Sequence, residues 1–145
     1  MADITKFSGK LRSQPDYLAF EQTVPANTNA DGNRGAQLVG KVQGAIEIGI
    51  EAATDVTIPI SATLTLKALA SATEDGDYTE IASTAFESTS AAATVFLAGT
   101  HIVTFAIPSE GTFEADDKKY VKVNFATDSA SSTGKLNAFQ TYQGR

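Results

Sequence analysis

Apolar residues in this chain recur at every second position, which restricts it to folds built from half-buried β-strands. In Ala45-Ile46-Glu47-Ile48-Gly49-Ile50-Glu51 the three isoleucines share one face and the two glutamates the other. Thr63-Leu64-Thr65-Leu66-Lys67-Ala68 repeats the scheme with Leu64, Leu66 and Ala68 inward. Tyr120-Val121-Lys122-Val123-Asn124-Phe125 does so again, with Val121, Val123 and Phe125 on the buried side. The run His101–Ile107 is less regular, but Val103, Phe105 and Ile107 fall together. Tyr17–Val24 and Gly134–Tyr142 complete the stronger strands. A sheet with one wet face is the structure that such alternation selects.

Turn chemistry separates these runs. Asn27–Gly35 is rich in Asn, Asp and Gly, residues that tolerate positive φ, and reads as a loop. Glu74-Asp75-Gly76-Asp77 divides the Leu64 strand from a short Tyr78–Ala82 run, and its Asp75-Gly76 pair signals a hairpin. Pro108–Gly111 and Thr127–Thr133 are further connectors, and the prolines lie outside the strong runs. Ser83–Ala93, with Phe86 as its only large apolar side chain, reads as a loop or a short helical turn. Gly40, Gly44 and Gly49 sit in or beside strand-like sequence, where glycine marks a bulge or a close backbone approach. The pattern predicts an all-β antiparallel sandwich or barrel over residues 15–145, preceded by an extended arm of residues 1–14.

Composition removes several function classes. The 145 residues include no cysteine, so disulfides, thiolate metal sites and cysteine nucleophiles are absent. The net charge of -6 disfavours nucleic-acid binding, which needs clustered Lys and Arg. The charge is unevenly spread: Lys6, Lys10 and Arg12 against Asp3 give residues 1–12 a net +2, leaving -8 for the rest. A basic arm on an acidic body is a candidate tether to an acidic partner surface, with Lys6, Phe7, Lys10, Leu11 and Arg12 as its candidate contacts; the plainer reading is a solvated terminus. The first residues lack the apolar core of a signal peptide, and no stretch approaches the ~18 apolar residues that span a bilayer. No membrane partner is expected.

Catalytic chemistry finds little to work with. His101 is the only histidine, so multi-histidine zinc sites are excluded and any Ser-His-Asp triad would have to use it. No Gly-x-Ser-x-Gly elbow and no phosphate-binding glycine loop occurs. Carboxylates cluster at Glu74, Asp75, Asp77 and Glu80 and at Glu114, Asp116 and Asp117, without the ligand order of a calcium loop. They read as an acidic hairpin turn and a solvated strand approach. No metal and no cofactor is expected. With no Trp and only scattered tyrosines, an aromatic platform for sugars is weakly represented.

From Leu64 onward the order of features resembles a known family. The strand Thr63–Ala68 runs into Glu-Asp-Gly-Asp-Tyr, then an Ala/Ser/Thr-rich stretch, then Phe96-Leu97-Ala98-Gly99-Thr100 before a strand ending Ala106-Ile107-Pro108. Lys119-Tyr120-Val121-Lys122-Val123-Asn124-Phe125, a Ser/Thr-Gly loop and Gly134-Lys135-Leu136-Asn137-Ala138-Phe139 follow. This is similar to the jelly-roll cement, or decoration, proteins on the capsids of certain tailed bacteriophages. The resemblance covers a little over half the chain, and the arm 1–14 and the loop Asn27–Gly35 lie outside it. It implies a jelly roll, a homo-oligomer (dimer or trimer), and a non-enzymatic role clamping subunits of the major capsid protein. It also implies a place on the virion surface after synthesis in the host cytoplasm. The alternative expectation is a ligand- or glycan-binding β-sandwich module of a phage tail or lectin-like protein.

Overall fold

The computed structural model describes residues 17–38, 45–108 and 120–142. The strands are β1 (Tyr17–Thr23), β2 (Asn29–Asp31), β3 (Gln37–Leu38), β4 (Ala45–Ala52), β5 (Val56–Ile58), β6 (Thr63–Ser71), β7 (Thr79–Glu87), β8 (Thr94–Phe96), β9 (His101–Pro108), β10 (Tyr120–Thr127) and β11 (Lys135–Tyr142). All pair antiparallel. One sheet runs β1-β11-β4-β9 and the second β2-β10-β6-β7, with β3 also on β10 and a separate ribbon β5-β8.

This order is a jelly roll. β2 and β3 pair with Asn124–Ala126 and Tyr120–Val121 of β10, so together they form one interrupted edge strand. With the ribbon β5-β8 set aside, eight strand positions remain. Taken in chain order, the first pairs with the eighth, the second with the seventh, the third with the sixth and the fourth with the fifth. That is a long antiparallel ribbon rolled into two facing sheets, the double Greek key of a jelly roll.

The core lies between the sheets. Leu18, Ile48, Ile50, Leu136 and Ala138 from one sheet meet Leu64, Leu66, Ala68, Val121, Val123 and Phe125 from the other, all at most 2% exposed. These are the residues that alternation places inward. In β9 the alternation is imperfect. Phe105 is buried but Val103 is only half-buried, because a register shift sets Ile102 as an extra residue opposite β4. Gly49 marks neither a bulge nor the approach of another backbone but makes room for a ring: a Cβ there would sit 2.7 Å from Cζ of Phe139. Phe139 points away from Leu136 and Ala138, so its ring covers the outer side of the first sheet over Gly49, with Tyr17 edge-on at 6.2 Å.

Several expectations are corrected. The segment Asn27–Gly35 is not all loop: Asn29–Asp31 form β2, because the exposed edge of β10 offers main-chain partners to a polar segment. Ser83–Ala93 is neither loop nor helix at its start. Residues 83–87 belong to β7, a long edge strand held by β6 alone, and small polar side chains suffice there because that strand is largely exposed. The hairpin at Asp75-Gly76 exists, but its loop spans residues 72–78. Gly76 closes a turn through its N–H to the Thr73 carbonyl (3.2 Å) rather than sitting in a two-residue turn. Pro108 lies within β9, as its last residue. Gly40, Gly44 and the connector after Pro108 lie outside the described residues.

Candidate docking surface

Connections in the roll gather at one pole of the sandwich. Residues 24–28, 53–62, 88–100 and 128–134 are joined there by main-chain bonds. Val24 N–H donates to Gly134 O (2.9 Å), Ser61 N–H to Thr89 O (2.9 Å), and Thr57 and Thr133 exchange two bonds of 3.0 Å. These thirty-five residues contain two charged side chains, Asp55 and Asp128, where the chain's 19% average would put about seven. Both carboxylates cap backbone: Asp55 Oδ1 accepts from Ala98 N–H (2.8 Å) and Asp128 Oδ1 from Thr63 N–H (2.7 Å). Charge returns at the bordering strand ends, Glu87 and Lys135.

On this pole stand Ile60, Val95 and Leu97, 55%, 52% and 63% exposed, the large hydrophobic side chains that solvent reaches most among the described residues. Val95 of β8 and Leu97 just beyond its end are exposed, while Phe96 turns inward edge-on to Phe86 at 5.3 Å. An apolar centre with a charged rim is the composition of a protein-binding surface.

The outer face of the second sheet is polar and internally satisfied. Lys122 Nζ donates to Asp31 Oδ2 (2.8 Å) and stands 4.2 Å from the Tyr78 ring centroid, while Asn124 Nδ2 donates to Asp31 Oδ1 (2.9 Å). Lys67 pairs with Glu80 at 3.3 Å. Burial raises the Tyr78 phenol pKa, and the nearby Glu74, Asp75, Tyr120 and Asp31 add to it. With Lys122 over its ring, Tyr78 is already engaged by a cation and does not offer that face to a sugar.

Asp31 carries a pH signature. Partial burial pushes its carboxyl pKa up, but the bonds from Lys122 and Asn124 and the Lys122 charge outweigh it, so the pKa lies below the ordinary value. A depressed carboxylate pKa contributes stability above the unfolded-state pKa, and that contribution is lost as pH falls. The unfolding free-energy difference between the chain and Asp31→Asn is therefore expected to be constant near neutrality and to shrink below about pH 4. Its size stays below about 1 kcal/mol because the pair is part-exposed. Urea titrations at several pH values that gave a flat difference would contradict this.

The remaining predicted residues are scattered. His101 is the exposed first residue of β9, its Nε2 2.7 Å from Thr104 Oγ1, as expected of a strand-edge histidine. Glu74, Asp75 and Asp77 are exposed in the loop 72–78, and no cluster of three His, Cys, Asp or Glu able to hold a metal occurs among the described residues. Among the described residues no helix is long and apolar enough to cross a membrane. Lys6, Phe7, Lys10, Leu11 and Arg12 lie outside the described residues, as do Glu114, Asp116 and Asp117. Reasoning from motifs missed the apolar pole. Its signal was present as the thirteen uncharged residues Ser88–Thr100. No family model and no curated protein matches the chain.

Proposed function

We propose that this chain is a non-enzymatic structural protein that binds the outside of a bacteriophage capsid and stabilises contacts between major capsid protein subunits. The observation that carries this reading is the jelly-roll strand order, built largely by Leu64–Phe139, the same stretch that resembles the cement proteins. A sandwich whose two inner faces are sealed on each other is a rigid body suited to bearing load between neighbours. Many copies on a symmetric shell gain avidity without tight single contacts. The basic arm 1–14 on an acidic body supplies the capsid contact, through Lys6, Phe7, Lys10, Leu11 and Arg12.

Co-sedimentation with purified capsids that lack the protein tests the reading. The full chain is expected to pellet with the shells and raise their dissociation temperature, and the variant lacking residues 1–14 to lose most of that uptake. Shells that neither take up the full chain nor gain stability from it would refute the proposal. Glycan and calcium titrations of the same material address the ligand-binding alternative: a saturable signal abolished by Asp75→Ala or Asp77→Ala would favour that reading over cement.

A further inference from the structure

β8 is an open edge. In the ribbon β5-β8 the pairs are Val56 with Phe96, Thr57 with Val95 and Ile58 with Thr94. Thr57 spends both its N–H and its C=O on Thr133, on the side away from β8. In an antiparallel ladder a residue's two main-chain groups point to the same side, so Thr57 and Val95 form a non-hydrogen-bonded pair. The N–H and C=O of Val95 therefore project from the far edge of β8, and neither is bonded among the described residues. Beside them lie the exposed Val95 and Leu97 side chains. A bare edge of this kind, without a charge or a proline to blunt it, is a template for pairing.

We propose that two copies of this chain associate across a two-fold axis through β8, with Val95 of each copy opposite Val95 of the other. The arrangement is self-complementary. Val95 exchanges both main-chain bonds with its counterpart, Thr94 lies opposite Phe96, and the two ribbons become one four-stranded sheet β5-β8-β8-β5. Electrostatics selects the same pole. Each copy carries a net -6, so two copies repel, and contact through the nearly charge-free pole keeps the acidic loop 72–78 and the charged sheet faces apart. Val95, Leu97 and Ile60 supply the apolar centre, and Glu87 and Lys135 a rim of opposite signs. The inference does not rest on the capsid reading.

The cysteine-free chain allows a direct test. Facing residues of a hydrogen-bonded antiparallel pair have Cα atoms about 5.5 Å apart and Cβ atoms up to about 5.5 Å apart, wider than an unstrained disulfide accepts but within reach of a short bifunctional cross-linker. The purified Val95→Cys variant is expected to be joined by a short bis-maleimide into a covalent dimer of twice the 15.2 kDa chain mass, while Ser83→Cys, exposed on β7, stays monomeric with the same reagent. Sedimentation equilibrium of the unmodified chain is expected to show a dimer, and Val95→Asp, an exposed substitution that leaves the fold intact by circular dichroism, to weaken it roughly tenfold or more. A monomer at every concentration, a dimer indifferent to Val95→Asp, or equal cross-linking of both cysteine variants would overturn the proposal. Capsid uptake is scored separately with the same proteins. A dimer that no capsid binds leaves this inference standing and removes the capsid role; a capsid-binding monomer does the reverse.

Discussion

Phe125→Ala is expected to lower the unfolding free energy by about 3–5 kcal/mol. Phe125 is 0% exposed and occupies the middle of β10, opposite Leu66 of β6 on one side and Ala30 of β2 on the other. Removing the ring forfeits its transfer free energy and leaves a cavity. The surrounding wall is made by two hydrogen-bonded sheets, which cannot close over the gap as a loop would. For a domain of this size the loss corresponds to a fall in Tm of roughly 10–15 °C. Urea unfolding followed by circular dichroism measures it. Phe86→Ala provides the internal comparison: Phe86 is only half-buried on the edge strand β7, and its loss is expected to cost less than half as much. Equal costs at the two positions would mean that the sealed core between the sheets does not dominate stability.

The second large effect is expected at Gly134, which joins the β10–β11 loop to β11 at φ +114°, a conformation that essentially only glycine adopts. A Cβ there would lie 2.6 Å from both the Asp55 carbonyl oxygen and Val56 Cα, and neither main-chain atom can swing aside as a side chain does. Gly134→Ala is therefore expected to cost about 2–4 kcal/mol, from backbone strain and from pushing the loop off β5. The damage is directional. The Gly134 carbonyl accepts the Val24 N–H, and Thr133 next to it makes the paired bonds to Thr57. Hydrogen exchange should thus speed up first at Val24, Thr57 and Thr133, while Val121 and Val123 in the core keep their protection. Since β5 carries β8, the same substitution is expected to weaken the two-fold contact. A stability change below 0.5 kcal/mol, or uniform loss of protection, would contradict this account.

A two-fold contact at one pole and a basic arm are compatible with one object. In the proposed dimer the acidic loops 72–78 turn outward, and the basic segment 1–14 is present twice. Two such segments on one body would raise the local concentration of the second contact once the first has formed. Loss of the dimer is then expected to reduce capsid uptake at low protein concentration more than at saturation.

Much of the fold was legible because burial on one face leaves a period-two trace. Ile48, Ile50, Leu64, Leu66, Val121, Val123 and Phe125 face the core as their spacing predicts. Legibility failed where a strand buries little. β2 is Asn-Ala-Asp and half of β7 is Ser, Thr and Ala, and nothing in those side chains distinguishes a strand from a loop, because their pairing is made by main chain alone. The docking pole was hidden for a different reason. Its residues come from four segments spread between residues 24 and 134, and only the return of the chain to the same end, strand after strand, brings them together.

The amino-acid sequence by itself determined that this protein is a sheet protein, which side of most strands is buried, and that its chemistry lacks cysteine and multi-histidine sites. Side-chain hydrophobicity is a local property, and local periodicity records it. The alternation left sandwich and barrel open, with a jelly roll only as what the resemblance implies; the tertiary structure decided that the sheets close as a jelly roll, that Thr57 turns its main chain to Thr133, and that β8 is thereby left with an open edge. Those outcomes depend on which main-chain groups find each other across the whole chain, and main-chain groups are the same at every residue.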